Sequence, residues 1–385
     1  ILQSFFLIFG GAAVIATTAL YLRQPMLVAY IALGALAGPF GLALVDDTAL
    51  LSGIAEIGII FLLFLVGLDL PTQKLRNMLG ESLLTAFGTT AVFFSVGAGV
   101  MFLFGYTVIE AVVVGIAMTF SSTILGIKLL PTTVLHHRHI GEIVISLLLV
   151  QDLLAIIALL FIGFLGGTAE QGNLALLSLA AGLPALIIGA LFVVRFVLLP
   201  LLEKFDEFHE YIFLLAIGWC LTIAQLAHSL GLSYEVGGFI AGVSLATSPI
   251  AQYIATHLKP LRDFFLVTFF FTVGASIDLR LLPGVWLPIL VLTMVVLLIK
   301  PVTFTRLLHM QGESLPNAKE VGFRLGQASE FSLLVSYVAI HASLLSIESA
   351  VVLQAATVLT LLLNSYFVVS RYPNPIAADP ALRRD

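Results

Sequence analysis

The sequence predicts an all-α integral membrane protein, and three observations support this fold class. Of the 385 residues, 60% are hydrophobic and only 10% are charged, whereas a soluble domain of this size carries about 25% charged residues. The apolar stretches are long enough to cross a bilayer core, which takes about 20 helical residues. They lack the alternation of polar and apolar residues that a β-barrel needs, so helices are favoured. We therefore expect the lipid bilayer, and no nucleic acid, as its partner.

Short polar loops with Pro or Gly separate thirteen apolar segments, which we number as predicted spans 1 to 13. The only cysteine, Cys220, lies in an apolar run, so no internal disulfide is expected. The spans cover residues 4–22, 26–45, 50–68, 81–104, 108–129, 140–166, 174–199, 210–229, 232–249, 261–275, 284–307, 318–341 and 345–370.

The basic residues predict the orientation. With thirteen spans, the loops after odd-numbered spans share one side with the C-terminus, and that side holds all of the 17 Lys and Arg residues except Arg280 and Lys300. Cytoplasmic loops carry such an excess of positive charge. The N-terminus is therefore predicted to lie outside and the C-terminus in the cytoplasm, with a bacterial-type inner membrane as the expected location.

The chain also repeats itself at an offset of 207 residues. The tetrapeptide FLVG at 64–67 recurs as FTVG at 271–274. The same offset aligns Glu56 with Asp263, Gly115 with Gly322 and Ser122 with Ser329. Spans 1–6 then match spans 8–13, and span 7 joins the two halves. Matching spans are an odd number of spans apart, and consecutive spans cross the membrane in opposite directions, so the second copy is inverted relative to the first. Inverted repeats are a transporter architecture that permits alternating access.

Asp152 is the main candidate for chemistry, because it lies near the middle of apolar span 6, next to Gln151. A carboxylate at that depth is costly and therefore indicates function. Such a group can hold either a proton or a monovalent cation, and the two states exclude each other. The other interpretation is an Asp that is bonded to a neighbouring helix for structural reasons.

Hydroxyl groups crowd the centre of span 5 and can loosen the helix by bonding to its own backbone. The freed carbonyl and hydroxyl oxygens suit an alkali ion, and broken helices commonly supply such ligands in transporters; close helix packing is the alternative role. The candidate ion- and proton-binding residues are Asp152, Gln151, Thr119, Phe120, Ser121, Ser122 and Thr123.

Span 12 has the same loosened character around Gly326 and Gln327, and it adds the acid Glu330. Lys300 lies within span 11, just before Pro301. Lys300 and Glu330 could neutralise each other, or Lys300 could face Asp152 and favour its charged form. Together with Arg324, these residues are the candidate charge partners of the site.

The sequence around QDLLAI at 151–156 resembles the cation:proton antiporter superfamily, and in particular its Kef-type potassium-efflux branch. Further segments are similar to that family in the same order: FLLFLVGLDL at 61–70, TFSSTILG at 119–126, HRHIGE at 137–142, FFFTVGASIDL at 269–279 and GQASEF at 326–331. Each match is weak alone, but together they span most of the chain.

The resemblance implies a sodium/proton-antiporter-like fold of about thirteen transmembrane helices in six-helix inverted repeats, with spans 5 and 12 broken and crossing near the ion. It implies a homodimer in which core helices move against a dimerising scaffold. The scaffold would comprise residues 1–80 and 210–283, the core 81–166 and 284–370, and the linker helix 167–209. Residues 371–385 would form a cytoplasmic tail that leads to a nucleotide-binding regulatory domain or subunit.

The essential aspartate of the family falls on Asp152. Electrogenic sodium/proton relatives carry a second acid immediately before it, where this chain has Gln151. One acid instead of two implies one proton per cation, and thus electroneutral exchange. A lysine of span 11 pairs with that second acid in the relatives, so Lys300 matches a residue whose usual partner is missing. The weaker field of one carboxylate and one amide favours potassium over sodium.

Potassium/proton antiport, with the ions as substrates and no cofactor in this chain, is the function that the sequence predicts. The alternatives are sodium/proton antiport, a ligand-gated potassium efflux channel and a sodium-coupled symporter for an organic anion. A channel filter of the TVGYG kind is missing from the sequence. An intramembrane enzyme is disfavoured because the sequence has neither H-E-x-x-H nor a second mid-membrane aspartate.

Overall fold

The computed structural model describes residues 2–22, 24–45, 48–68, 72–130, 139–165, 182–205, 208–230, 232–246, 248 and 251–374. Within these residues every predicted span contains helix, so the all-α prediction is confirmed. The helices are α1 (Leu2–Tyr21), α2 (Met26–Ala37), α3 (Thr48–Leu68), α4 (Thr72–Leu103), α5 (Val108–Met118), α6 (Thr123–Lys128), α7 (His139–Leu165), α8 (Leu183–Val193), a π-helical stretch (Val194–Leu198), α9 (Leu199–Lys204), α10 (His209–Ser229), α11 (Tyr234–Ala246), α12 (Ala251–Ser276), α13 (Leu282–Met310), α14 (Leu315–Arg324), α15 (Glu330–His341) and α16 (Ile347–Arg371).

Several helix boundaries differ from the predicted ones. Helix α12 begins at Ala251, ten residues before the predicted start, and continues through Pro260. Helix α4 begins at Thr72 instead of residue 81, so the predicted border between scaffold and core at residue 80 lies inside a helix. An apolar window detects only the membrane-embedded part of a helix, whereas backbone hydrogen bonding continues into the polar flanks.

Seven helices among the described residues are long and apolar enough to cross a membrane alone. Their apolar parts are Ser4–Tyr21, Leu83–Leu103, His139–Gly163, Leu183–Lys204, Glu210–Ser229, Leu282–Met310 and Ile347–Arg371. Five further apolar helices are shorter: Met26–Ala37, Gly53–Leu68, Val108–Met118, Tyr234–Ala246 and Glu330–His341. Two of the short ones, α5 and α15, are halves of broken spans.

Spans 5 and 12 are both interrupted, as the resemblance implied. Span 5 consists of α5 and α6 with residues 119–122 non-helical between them, and span 12 consists of α14 and α15 separated by residues 325–329. Ser122 and Ser329 stand at equivalent places, each immediately before the second half-helix. Ser122 Oγ accepts a hydrogen bond from Leu125 N, and Ser329 Oγ accepts one from Phe331 N. The breaks are therefore related by the repeat.

Glycine contacts confirm the inverted repeat. A β-carbon placed on Gly34 of α2 would lie 1.9 Å from the carbonyl oxygen of Phe271, and one on Gly242 of α11 would lie 2.0 Å from that of Phe64. Offsets of 207 and 208 residues relate these two contacts. Helix α2 therefore packs backbone to backbone on α12 in the same way that α11 packs on α3.

The helices form two sets that pack mainly within themselves. In one set, α4 packs on α5, α7 and α13, and α13 also packs on α14 and α16. In the other set, α3 packs on α11 and α12, α2 packs on α12, and α10 packs on α11. An apolar cluster joins the two sets, with α2, α3 and α12 on one side and α5, α7, α15 and α16 on the other.

Candidate functional site

The two helix breaks lie against each other in the buried interior. Ser332 Oγ of α15 donates a hydrogen bond to the carbonyl oxygen of Ala117 in α5, at 2.6 Å. Ser121 Oγ in the first break donates to the carbonyl oxygen of Leu325 in the second, at 2.8 Å. These bonds supply partners to backbone groups that a broken helix leaves unpaired, which is a requirement inside a membrane.

Lys300 of α13 links the two breaks. Its side chain is only 1% exposed, and Nζ donates hydrogen bonds to the carbonyl oxygens of Phe120 and Gln327 and to Ser121 Oγ, the last at 3.3 Å. The ammonium also lies 5.0 Å from the ring centroid of Phe93. Both carbonyls follow the C-terminal ends of half-helices, where the helix dipole is negative. Lys300 therefore joins two helix ends through hydrogen bonds.

The sequence left two interpretations of Lys300 open, namely pairing with Glu330 and facing Asp152. The ion pairs among the described residues do not include one between Lys300 and Glu330 or between Lys300 and Asp152. The missing acid partner is replaced by uncharged backbone oxygens. Glu330 is the first residue of α15, where the helix dipole favours a carboxylate.

Helix α7 brings Gln151 and Asp152 to the first break. Gln151 Oε1 accepts a hydrogen bond from the backbone N–H of Ser121 at 3.0 Å. Thr123 Oγ1 donates to the carboxylate of Asp152, at 3.0 Å from Oδ1 and 3.2 Å from Oδ2. Gln151 is 1% exposed and Asp152 is 9% exposed. The two adjacent side chains therefore have different roles. The Gln151 amide pairs with a backbone N–H of the broken helix, and the Asp152 carboxylate accepts a hydrogen bond from the Thr123 hydroxyl.

The hydroxyl groups of span 5 also have two different roles: some bond to their own helix ends, and one bonds to Asp152. Thr119 Oγ1 donates to the carbonyl oxygen of Ile116 at 2.7 Å, and Ser122 Oγ accepts from Leu125 N at 3.1 Å. These two side chains therefore satisfy their own helix ends. Of the predicted ion-binding residues, Thr123 is the one that the structure joins directly to Asp152.

Arg324 is the last residue of α14, and its side-chain partners among the described residues do not include Asp152. Its guanidinium is 2.7 Å from Glu320 Oε1, one helical turn earlier in α14. It also donates to the carbonyl oxygens of Leu129 and Pro373, both at 2.8 Å. Arg324 therefore ties α14 to the end of α6 and to the chain after α16, and its charge is matched by Glu320.

Two residues of α16 support the second break but were not singled out from the sequence. Asn364 Nδ2 donates to the carbonyl oxygen of Phe323 at 3.0 Å and to Gln327 Oε1. Thr360 Oγ1 accepts a hydrogen bond from Ala328 N at 3.0 Å. Thr360 and Asn364 are four residues apart and share one face of an apolar helix. That spacing was the available signal.

The carboxylate of Asp152 leaves room for further polar contacts. An ionised carboxylate offers about four lone-pair sites, and in this structure a single hydroxyl bonds to Asp152 among the described residues. Inverted repeats, two crossing broken helices and a buried carboxylate beside them define the class of secondary transporters.

Comparison with known proteins identifies the family within that class. The transmembrane sodium/hydrogen exchanger family matches residues 8–369, and the chain belongs to this family.

Curated relatives include the K(+) efflux antiporter 4 of Arabidopsis thaliana, which is 30% identical over 88% of this chain and 58% of its own length. The glutathione-regulated potassium-efflux system protein KefC of Cronobacter sakazakii is 30% identical over 91% of this chain and 57% of its own length. The chain therefore spans less than two thirds of these relatives. The sodium proton antiporter MjNhaP1 of Methanocaldococcus jannaschii has the same fold, with a TM-score of 0.71, 16% identity and 94% coverage of both chains.

Proposed function

We propose that this chain is the membrane part of a monovalent cation/proton antiporter, and that it exchanges potassium for protons at Asp152. The observation that carries the proposal is the position of this carboxylate, buried on α7 beside the crossing of two broken helices. A proton or a cation can neutralise it, but not both at once. This competition couples the two fluxes without any further ionisable group.

The potassium preference and electroneutral stoichiometry follow from Gln151. Its amide oxygen is already bonded to Ser121 N, so Asp152 supplies the single negative charge of the α7 pair. One carboxylate exchanges one proton for one cation. The relatives named as potassium-efflux proteins support the same ion. Sodium is the alternative cation, and it would use the same site.

Alternating access is proposed to move α4–α7 and α13–α16 as a core against a scaffold of α1–α3 and α10–α12. The packing of the helices in two sets supports this division. Homodimerisation through the scaffold, an outside N-terminus and a cytoplasmic C-terminus complete the proposal. A regulatory domain or subunit would follow the cytoplasmic tail, of which residues 375–385 lie outside the described residues.

The test uses purified protein in liposomes that contain a pH-sensitive dye. An imposed proton gradient is challenged first with potassium and then with sodium, for the wild type and Asp152→Asn. Asp278→Asn is the matched control, because Asp278 is an acid that bonds to Arg280 in the loop between α12 and α13. Each run is repeated with the membrane voltage clamped by an ionophore.

We expect potassium to dissipate the gradient through the wild type and Asp278→Asn, but not through Asp152→Asn. Clamping the voltage should leave the rate unchanged. Cation flux without proton movement would contradict the antiporter proposal and would indicate a gated channel. Full activity of Asp152→Asn would refute the assigned role of this carboxylate.

A further inference from the structure

A cavity of about 340 Å³ lies between the two helix sets, and Asp152 is not among the residues that line it. Its walls are mostly apolar and come from both sets. Leu125 of α6 and Leu129, just after its end, line the cavity together with Leu27 of α2 and Phe270 of α12. Cavities of this size with apolar walls and a few polar groups are typical of sites for small ligands.

A residue that lines this cavity has a buried polar atom without a partner among the residues that the structure describes. The side chain of Gln24 lines the cavity and is only 8% exposed. Its Oε1 accepts a hydrogen bond from Ser365 Oγ at 3.0 Å, whereas Nε2 has no hydrogen-bond partner within that part of the chain. A buried N–H that lacks an acceptor is energetically costly. The amide therefore indicates a ligand that presents an acceptor atom.

A carboxylate stands at the edge of the same cavity. Asp263 of α12 is among the lining residues, and its side chain is 65% exposed. Its described hydrogen bonds come from the neighbouring Arg262, at 3.1 and 3.2 Å, and involve only Oδ1. The second carboxylate oxygen, Oδ2, is therefore available to a cationic group from outside.

We propose that this cavity binds an amphipathic primary amine. The apolar body of the ligand would lie against the leucines, an acceptor atom would meet Gln24 Nε2, and the ammonium group would bond to Asp263. A soluble amine or the ethanolamine headgroup of a lipid could supply this chemistry. An occupant would contact helices of both sets, so under the proposed function it would hold them together and slow exchange.

The probe is 4-methoxyphenethylamine, which has an ether acceptor, an aromatic body and an ammonium group. Its neutral counterpart, 2-(4-methoxyphenyl)ethanol, lacks only the charge. Binding to the purified full chain is measured by calorimetric titration without any ion gradient. The variants are Asp263→Asn and Gln24→Leu, with Asp278→Asn as the control for removal of an acid that is also bonded to a nearby arginine.

We expect Asp263→Asn to weaken amine binding about five-fold, because solvent screens an ion pair at a carboxylate that is 65% exposed. Asp278→Asn should bind like the wild type. The alcohol should bind about five-fold more weakly than the amine and respond less than the amine to Asp263→Asn, and Gln24→Leu should weaken both probes. Equal binding of the amine to the wild type and Asp263→Asn, or equal binding of the two probes to the wild type, overturns the proposal.

A second arm distinguishes the sources of the ligand. The wild type, Asp263→Asn and Asp278→Asn are incubated with phosphatidylethanolamine or phosphatidylglycerol, and bound lipid is counted by native mass spectrometry. Loss of the phosphatidylethanolamine adduct in Asp263→Asn alone assigns the site to a lipid, and no difference assigns it to a soluble amine. Asp152→Asn should bind the probe like the wild type, so failure here is separable from failure of the antiport proposal.

Discussion

Adding one methyl group to Gly34 should separate two helices that now touch along their backbones. A β-carbon there would lie 1.9 Å from the carbonyl oxygen of Phe271, which is 1.5 Å short of the 3.4 Å of an ordinary contact. The repeat-related Gly242 falls short by 1.4 Å, since its β-carbon would lie 2.0 Å from the carbonyl oxygen of Phe64. Both obstacles are backbone atoms, so no side-chain rotation relieves them.

Overpacking of this kind costs about 1–3 kcal/mol, against a gain in helix propensity of about 0.5–1 kcal/mol when alanine replaces glycine. Both Gly34→Ala and Gly242→Ala should therefore lower the free energy of unfolding by about 1–2 kcal/mol. Gly218→Ala is the control, because no atom lies within 4 Å of its added β-carbon. It should leave stability unchanged or slightly raised.

The assay is the thermal unfolding midpoint of each purified variant in the same detergent. The two repeat-related variants should unfold several degrees below Gly218→Ala and close to each other. If Gly34→Ala were as stable as the control, the close approach of α2 to α12 would be wrong. If only one of the pair were destabilised, the symmetry of the two contacts would be refuted.

Three further substitutions test other contacts. Ser332→Ala removes the hydroxyl that joins the broken helices, so it should lower stability by about 1–2 kcal/mol in thermal unfolding, unlike Ser95→Ala, whose exposed hydroxyl bonds only to its own helix. Arg324→Gln removes a buried charge that is bonded to the chain after α16, so it should expose residues beyond 371 to protease faster than in the wild type. The hydrogen bond from Arg280 holds the pKa of Asp278 below its ordinary value of 3.8. The stability that the ionised Asp278 contributes is therefore present above pH 3.8 and is lost as the pH falls through the lowered pKa. The unfolding midpoints of the wild type and Asp278→Asn should differ more at pH 6 than at pH 3.

Much of the fold could be predicted because membrane-spanning helices are defined by local composition. The prediction of thirteen spans required only the length and hydropathy of the apolar stretches, since a segment in lipid must form its backbone hydrogen bonds internally and therefore becomes a helix. The inverted repeat was visible from the matching of residues 64–67 with 271–274. Helix ends were predicted less well, as the early start of α12 at Ala251 illustrates, because hydropathy does not report where backbone hydrogen bonding stops.

The sequence predicted which residues belong to the candidate site better than it predicted the contacts between them. Asp152 does meet Thr123, and Gln151 does meet Ser121, and each of these residues could be singled out because it is polar in an apolar helix. Their individual partners depend on distances between helices, which no sequence pattern reports. Lys300 is the clearest example, since its sequence suggested an acid partner and the structure gives it the carbonyl oxygens of Phe120 and Gln327.

By itself, the sequence determined that this protein lies in a membrane, that its helices form an inverted repeat, and that Asp152 is its unusual mid-membrane acid. The first follows from hydropathy, the second from residues that match at a constant offset, and the third from the cost of burying charge. Only the tertiary structure decided that Gln151 supports a broken backbone, that Thr123 meets Asp152, and that a cavity opens beside Gln24 and Asp263. Such contacts join residues far apart in the chain, and their geometry is set by how closely whole helices pack.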